Sequence, residues 1–205
     1  MKTRVAVIGV GHLGQHHARI LSELPDAELA GVVDVRRERA EEIAGRYGSR
    51  AFATPAELLG QVDAVSIAAP TSVHIDLALP LVEAGVPVLV EKPIAGSIAD
   101  ADRLLAVAAK RGTIVAAGHT ERFNPAVAAA APLITSPRFV EIHRLGTFPE
   151  RSLDIDVIFD LMIHDLDLLL TLVGKDVTSI EAVGVNVLTP KVDIANVRLR
   201  FGSGC

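Results

Sequence analysis

Apolar residues up to position 117 gather in short runs, and the stretches between these runs have helical periodicity. Most runs are four to six residues long, as expected of strands that are buried on both faces. Strands that alternate this regularly with helices predict an α/β fold with a parallel, doubly wound sheet. The predicted strands cover residues 5–8, 29–33, 52–53, 63–68, 86–90 and 113–117.

The segments between the strands carry helix start and stop signals. Thr54 with Glu57, and Ser97 with Asp100, have the spacing of capping boxes. Glycine, which ends helices in the left-handed conformation, follows four of the five segments. The first predicted helix starts at residue 14. The other four cover residues 36–47, 55–59, 73–84 and 97–110, and their stops are Gly48, Gly60, Gly85 and Gly112.

The pattern changes near Phe123, which predicts two domains, residues 1–122 and 123–205. Asn124 and Pro125 open an alanine-rich helix, and later runs mix polar and apolar residues as in a sheet with one covered face. The second domain is therefore expected to be a partial α+β unit with a mostly antiparallel sheet. Its segments are a strand at 138–145, a turn-rich stretch at 146–156, a helix at 157–173 and strands at 177–188 and 193–201. Since the sequence ends just after a strand, we expect a C-terminally incomplete sheet whose open edge favours homo-oligomers.

Composition narrows the partners and the compartment. The 205 residues are 50% apolar and carry a net charge of −5 without a Lys/Arg run, which argues against nucleic acid or an anionic membrane as partner. A single cysteine, Cys205, suits a reducing compartment. Met1 leads almost directly into the first strand, and no apolar run approaches the ~18 residues of a membrane span. We therefore expect a cytoplasmic protein with no signal peptide.

A glycine turn follows the first predicted strand. Gly9, Gly11 and Gly14 have the G-x-G-x-x-G spacing of a dinucleotide-binding turn. The first glycine permits the tight turn, the second lets the backbone approach a pyrophosphate, and the third lets the next helix pack closely. The phosphates would then lie at the positive helix N-terminus. Taken alone, the same spacing also fits a purely structural turn.

Asp34 strengthens the nucleotide interpretation. It ends the second strand, 20 residues after Gly14, where an acidic residue accepts the ribose hydroxyls. A carboxylate there repels the 2′-phosphate of NADP, so NAD is the expected cofactor and NADP the less favoured one. Arg36 and Arg37 follow directly; they could offset this repulsion or be ordinary surface charges.

Lys92 is the first candidate for chemistry. It follows the strand at 86–90, and ligands bind at the carboxyl ends of such strands. A lysine there could move a hydroxyl proton during hydride transfer, provided that its pKa is lowered. The alternative is a surface Lys-Pro turn, in which Pro93 would favour a cis peptide bond.

The helix at 157–173 holds a second candidate set. Asp160, His164, Asp167 and Thr171 form one polar stripe on an otherwise apolar helix. Asp160, one turn before His164, could fix the imidazole tautomer for acid/base work. The stripe could equally be a water-facing edge. A metal site is a third option, but no further ligand has a telling spacing, so no metal is expected.

The remaining candidates are four histidines and one arginine. His12 is expected in the turn, where its backbone could contact phosphate, whereas His16 and His17 are expected on the helix surface. His74 follows the fourth predicted strand, residues 63–68. It could lie near a nicotinamide or simply start a helix. Arg122 could bind a phosphate or carboxylate, or pair with Glu121 or another acid.

Three motifs together resemble the Gfo/Idh/MocA family, the group of glucose-fructose oxidoreductase and inositol dehydrogenase. They are the glycine turn with Asp34, the run Glu91-Lys92-Pro93, and Asp160 with His164. The resemblance covers essentially the whole sequence. It implies that Lys92, Asp160 and His164 form the catalytic group, and that residues 69–74 lie beside the nicotinamide ribose.

The resemblance implies an NAD-dependent dehydrogenase that oxidises a secondary ring hydroxyl of a sugar, nucleotide sugar or cyclitol. Residues 118–125 and 160–165 are most similar to the branch that acts on the 3-hydroxyl of UDP-N-acetylglucosamine. A non-catalytic NAD-binding sensor or scaffold is the alternative. The expected substrate-binding residues are Arg122, Asn124 and His164. The expected cofactor-binding residues are Gly9, Gly11, His12, Leu13, Gly14, Asp34, Ala69, Pro70, His74, Glu91 and Lys92.

Overall fold

A computed structural model describes residues 1–146 and 155–205. Contacts divide the chain into two compact units, Met1–Gly118 and His119–Cys205. This division falls four residues before the boundary predicted from sequence. In the first unit the elements are β1 (Thr3–Ile8), α1 (Gly14–Glu23), β2 (Ala27–Val33), α2 (Arg37–Tyr47), β3 (Arg50–Phe52), β4 (Ala64–Ile67), α3 (His74–Glu83), β5 (Val88–Glu91), α4 (Ile98–Arg111) and β6 (Val115–Gly118), with single 3₁₀ turns at Pro55–Leu58 and Thr71–Val73.

The first unit is a six-stranded sheet of order β3-β2-β1-β4-β5-β6, and every pair in it is parallel. The predicted doubly wound α/β fold is thus confirmed. The chain leaves β1 in one direction to build β2 and β3, and in the other to build β4, β5 and β6. The carboxyl ends of β1 and β4 therefore flank the switch point, where open α/β sheets bind ligands.

Both faces of the sheet are buried at its central strand β1, which explains the continuous apolar run there, whereas Leu89 on β5 is 38% exposed. In β1, Ala6 and Ile8 pack into one hydrophobic cluster, whereas Val7 between them packs into the other. The first cluster includes residues of α3 and α4, and the second includes residues of α1 and α2. The strand that carries the glycine turn is therefore fixed from both sides.

The predicted helix caps hold at one site and fail at another. Ser97 Oγ accepts the N–H of Asp100 at 3.1 Å, as a capping box requires. Thr54 makes no such bond, and Pro55–Leu58 forms a single 3₁₀ turn that ends before Leu59. The Glu57 carboxylate instead accepts the N–H of Ala53 at 3.3 Å. The prediction of a capped α-helix at 55–59 was wrong, because the segment closes only one tight turn.

The second unit contains less regular structure than predicted. Its elements are α5 (Pro125–Ala130), α6 (Ile163–Leu172), β7 (Val177–Val185) and β8 (Ile194–Phe201), with 3₁₀ turns at Thr120–Phe123 and Ala131–Leu133 and a π-helical turn at Ile158–Met162. β7 and β8 form an antiparallel pair, as predicted. Residues 138–145 were predicted as a strand, which is wrong: they pair with none of the described strands, and an isolated extended segment leaves its backbone groups without a ladder. Most of the predicted turn-rich stretch at 146–156 lies outside the described residues.

The predicted helix at 157–173 is not α-helical throughout. Its first turn, Ile158–Met162, is a π-turn, and regular α-helix begins only at Ile163. Asp156 caps the start, since its Oδ1 accepts the N–H groups of Ile158 and Phe159 at 3.0 Å each. A π-turn is wider than an α-turn and often marks a functional position in a helix.

Strand β7 ends at Val185 rather than at the predicted residue 188 because a side chain replaces the ladder. Asp193 Oδ2 accepts the N–H groups of Val187, Leu188 and Thr189 at 2.7, 2.7 and 2.9 Å. These bonds hold the pKa of Asp193 well below its usual range.

Across the described part of the chain, no helix has the length and apolar character needed to cross a membrane.

Candidate active site

The glycine turn after β1 requires glycine at two positions for the fold itself. Gly9 has a φ of +82°, and a Cβ there would lie 2.8 Å from the carbonyl oxygen of Ala68. A Cβ on Gly14 would lie 1.7 Å from the carbonyl oxygen of Gly9. The turn and the start of α1 therefore pack backbone against backbone, as close helix–strand packing requires.

Gly11 differs from the other two glycines because the protein does not fill the space beside it. A Cβ on Gly11 would meet nothing within 4 Å. Its small size is thus unexplained by packing, whereas a bound pyrophosphate would occupy such a space. The backbone of the turn fits a dinucleotide at this point.

The N-terminus of α1 adds donors to the same place. Leu13 precedes the helix without a side-chain cap, and no acceptor within residues 1–146 or 155–205 takes the N–H of His12 or of Leu13. Two backbone donors and the positive end of the helix are thus available to phosphate oxygens. His12 itself is exposed, as expected of a turn residue.

Asp34 organises the turn from the end of β2. Its Oδ2 accepts the N–H of Val10 and its Oδ1 accepts the N–H of Arg36, both at 2.9 Å. The Arg36 guanidinium lies 3.7 Å from the same carboxylate, whereas Arg37 pairs with Glu41 on the surface of α2. Of the two arginines, only Arg36 is placed to weaken the repulsion of a 2′-phosphate by Asp34.

His74, at the first residue of α3, is buried and joins two loops. Nδ1 lies 2.9 Å from the carbonyl oxygen of Pro93, and Nε2 lies 2.8 Å from that of Ala69. Only 1% of its surface is exposed, and both ring nitrogens lie against carbonyl oxygens, while its place near the nicotinamide stays a prediction. The loop of Ala69 and Pro70 is thereby held against the loop that follows β5. The Lys92–Pro93 peptide bond in that second loop is cis.

His17 is not a surface residue, so the sequence prediction for it was wrong. It points from α1 across the sheet, where Nδ1 lies 2.8 Å from Ser66 Oγ and Nε2 lies 3.1 Å from Glu91 Oε1. The prediction failed because helical spacing alone gives no sign of a carboxylate far along the chain. His16, its neighbour, is exposed as predicted.

Glu91 ends β5 directly before Lys92 and is 7% exposed. Burial raises its pKa, but the hydrogen bond from His17, together with the N–H and the charge of Lys92, holds the pKa below its usual value. The Lys92 N–H donates to Glu91 Oε2 at 3.2 Å. Gly118 on β6 leaves room for this carboxylate, since a Cβ there would lie 2.9 Å from it.

Lys92 begins the loop at the carboxyl end of β5. Open α/β sheets bind their ligands at this edge. Asp160 and His164 belong to the second unit. They are half-buried where the π-turn meets α6. All three residues make polar interactions within the protein.

The polar stripe on the second-unit helix is not exposed along its whole length. Asp167, one turn after His164, is 6% exposed and receives a bidentate pair of hydrogen bonds from Arg122. Burial raises the pKa of Asp167, but Arg122, with His119 and His164 nearby, holds it below its usual value. Arg122 therefore pairs with an acid, which is one of the two roles that its sequence left open.

A second arginine holds the other side of α6, and sequence reasoning missed it. Arg144 Nη2 donates to Asp165 Oδ1 at 2.7 Å and lies 3.7 Å from Glu121.

Asn124, predicted to bind substrate, uses its side-chain oxygen to cap α5 by accepting the N–H of Ala126 at 3.0 Å. Within residues 1–146 and 155–205, no three His, Cys, Asp or Glu side chains lie together as a metal site.

Removing Arg122 is expected to destabilise the second unit. In Arg122→Ala the buried Asp167 carboxylate loses its bidentate partner. Because Arg122 is 47% exposed and water screens the pair, the expected loss in free energy of unfolding is about 1–3 kcal/mol. Urea unfolding measures it, and exposed Arg198→Ala on β8 is the control. Equal stability of the two variants would contradict the prediction.

The same variant has a predictable pH dependence. The folded-state pKa of Asp167 lies below the unfolded one, so the pair contributes stability above the unfolded pKa and loses it as pH falls through the folded pKa. The difference in unfolding free energy between parent and Arg122→Ala should therefore be full at neutral pH and shrink below roughly pH 4. A difference that grows in acid would contradict this sign.

Comparison with known proteins decides the family. A sequence model of the oxidoreductase family with an NAD-binding Rossmann fold, Gfo/Idh/MocA, matches residues 3–119. The chain belongs to the Gfo/Idh/MocA oxidoreductase family. The resemblance inferred from the three motifs is thus confirmed, and with it a family fold that binds NAD.

Three known proteins are similar to the chain over nearly its whole length. UDP-N-acetylglucosamine 3-dehydrogenase of Acidithiobacillus ferrooxidans is 45% identical over 98% of the chain, and a solved structure of it matches the whole chain with a TM-score of 0.93. Myo-inositol 2-dehydrogenase of Thermotoga maritima is 31% identical over 98% of the chain. GenD2 from gentamicin A biosynthesis, solved in complex with NAD, is 27% identical over 99% of the chain, with a TM-score of 0.86.

The chain is shorter than these three proteins. It spans 64% of the length of the A. ferrooxidans enzyme, 66% of the T. maritima enzyme and 63% of the GenD2 chain.

Proposed function

We propose that this chain carries the cofactor site and the acid/base residues of an NAD-dependent dehydrogenase acting on a secondary ring hydroxyl. The substrate class is a sugar, nucleotide sugar or cyclitol, and the specific proposal is the 3-hydroxyl of UDP-N-acetylglucosamine. The observation that carries the proposal is the turn at Gly11, where open space meets the N–H donors of His12 and Leu13. The similarity to a UDP-N-acetylglucosamine 3-dehydrogenase and to inositol dehydrogenases supports the substrate class.

The proposed reaction divides its work among three side chains. NAD, held at the glycine turn, would supply the acceptor for the hydride from the hydroxyl-bearing carbon. Lys92 and His164 take up and relay the hydroxyl proton, and Asp160 orients the imidazole of His164. Arg122 and Asn124 remain predicted substrate contacts; in the structure Arg122 pairs with Asp167, and Asn124 caps α5. The sensor or scaffold alternative is not favoured, since the similar proteins are named dehydrogenases.

Asp34 is expected to make the site prefer NAD. Its buried carboxylate would repel the 2′-phosphate of NADPH, and Arg36 at 3.7 Å offsets this only in part. NADH should therefore bind at least about tenfold more tightly than NADPH, a difference of about 1.4 kcal/mol. Fluorescence titration with each nucleotide measures it.

Asp34→Asn is the matched variant for this test. The amide oxygen can still accept a backbone N–H of the turn, whereas the negative charge is gone. The preference for NADH should narrow severalfold. Because the amide has one acceptor oxygen and the carboxylate accepts two backbone N–H groups, the thermal midpoint should also fall, so the ratio of the two Kd values is the readout. Equal binding of NADH and NADPH by the parent would refute the role of Asp34, and binding of neither would refute the cofactor site.

The substrate proposal is tested by NAD reduction, followed at the absorbance of NADH. UDP-N-acetylglucosamine, myo-inositol and scyllo-inositol are compared at equal concentration, with N-acetylglucosamine alone as the control for the nucleotide part. Turnover with UDP-N-acetylglucosamine far above the others supports the specific proposal. NADH binding without turnover on any of these compounds would favour the sensor or scaffold.

We also propose a cytoplasmic homo-oligomer that associates through the β7–β8 sheet. Large apolar side chains are exposed there, among them Ile180 at 67%, Val183 at 62% and Ile194 at 59%. Open, apolar sheet edges favour pairing with another copy. Light scattering during gel filtration tests this, with Ile180→Lys expected to shift the protein towards monomer.

A further inference from the structure

A polar chain, buried at two of its three members, runs through the first unit from α1, the helix after the glycine turn, to the loop of Lys92. Its members are Ser66 on β4, His17 on α1 and Glu91 at the end of β5. His17 lies 2.8 Å from the Ser66 hydroxyl through Nδ1 and 3.1 Å from the Glu91 carboxylate through Nε2. Ser66 is 3% exposed and Glu91 7%, so water contributes little to holding either group.

The donors and acceptors of this chain match in one direction. The Ser66 hydroxyl can donate to Nδ1, and the Nε2–H of His17 then donates to Glu91 Oε1. The other oxygen of Glu91 accepts the backbone N–H of Lys92 at 3.2 Å. Each carboxylate oxygen therefore has its own donor, and the carboxylate cannot rotate without losing both.

We propose that His17 is a positioning residue. It holds the Glu91 carboxylate where this group accepts the N–H of Lys92, and it thereby links α1, the helix after the glycine turn, to Lys92. The inference rests on the proposed dehydrogenase function. It fits the position of His17, three residues after Gly14, on the helix whose N-terminus faces the phosphate site. An error of about 1 Å in placing a catalytic group can cost about a hundredfold in rate.

The test compares three single variants by kcat and by Kd for NADH. His17→Leu should lower kcat by about ten- to a hundredfold, with the Kd for NADH within about threefold of the parent. His17→Gln, whose amide N–H can reach Glu91, should recover kcat to within about threefold of the parent. His16→Leu makes the same change on the exposed neighbour and should leave both values unchanged.

A double variant tests whether His17 acts through Glu91. Glu91→Gln places an NH₂ group against one of the two donors, so it should lower kcat in the same way. The double variant His17→Leu/Glu91→Gln should then be no slower than the slower single variant, because coupled residues are non-additive. Multiplication of the two effects would overturn the route through Glu91.

A readout without turnover separates this inference from the proposed function. Carbon-13 NMR of the Glu91 carboxyl in the protein without cofactor should show a low pKa in the parent and in His16→Leu, and a raised pKa in His17→Leu, where burial is no longer opposed by His17. An unchanged titration together with parental kcat in His17→Leu overturns the inference. Failure of His17→Gln to recover kcat also overturns it, because it would show that Leu and Gln act merely by disturbing packing. Full turnover in Lys92→Ala would instead overturn the proposed function.

Discussion

Gly11→Ala is expected to weaken NADH binding by about a hundredfold or more while leaving the free energy of unfolding within about 0.5 kcal/mol of the parent. The methyl group meets no protein atom within 4 Å, so folding has no reason to suffer. The same methyl group would occupy the space proposed for the pyrophosphate, beside the N–H donors of His12 and Leu13. Fluorescence titration with NADH and urea unfolding measure the two quantities separately.

Two further glycine variants control this experiment. Gly14→Ala puts a methyl group 1.7 Å from the carbonyl oxygen of Gly9, so both stability and binding should be lost. Gly45→Ala lies inside α2 with nothing within 4 Å, and it should keep NADH binding and gain roughly 0.5–1 kcal/mol of stability. NADH affinity of Gly11→Ala equal to that of Gly45→Ala would show that the turn is structural only.

Lys92→Ala is expected to lower kcat by about 10²- to 10⁴-fold, the usual contribution of general acid/base catalysis. NADH binding should change by less than about threefold, because the phosphate donors belong to the turn at Gly11 and to α1. Lys92→Arg separates charge from proton transfer: it keeps the positive charge, but a guanidinium does not release its proton in proteins. Both variants should therefore be slow.

The matched control for Lys92 is Lys110→Ala, an exposed lysine in the last turn of α4. It should turn over like the parent. Stopped-flow measurement of a single turnover, with NADH formation as the signal, reports the chemical step apart from product release. Parental turnover in Lys92→Ala would remove the lysine from the mechanism, and full activity of Lys92→Arg would limit its role to charge.

Where local signals agree, the sequence was sufficient to predict the first unit. The strand before Gly9, the serine cap at Ser97 and the left-handed glycine at residue 48 all depend on atoms within a few residues of one another. The order of apolar runs also determined the parallel sheet, because short crossovers between buried strands leave few topologies. The same local logic failed at Thr54, where the chain closed only a single 3₁₀ turn.

Prediction of the second unit was weaker because the secondary structure of its segments depends on contacts with residues distant in the sequence. Residues 138–145 have the composition of a strand, but a strand exists only with a paired partner, and none of the described strands pairs with it. The start of the helix before His164 was predicted as α-helix and is a π-turn, a difference of one hydrogen-bond register that residue periodicity does not resolve.

The sequence by itself determined the family motifs and the place of the glycine turn, Lys92 and the Asp160–His164 pair along the chain. Only the tertiary structure decided which side chains hold the site in place. His17 meets Ser66 across 49 positions of sequence, and Arg122 meets Asp167 across 45. Hydrophobic periodicity indicates which face of an element is buried, but not which distant polar group lies opposite that face. A buried carboxylate needs a hydrogen-bonding or charged partner, and only the tertiary fold determines which side chain is close enough to be that partner.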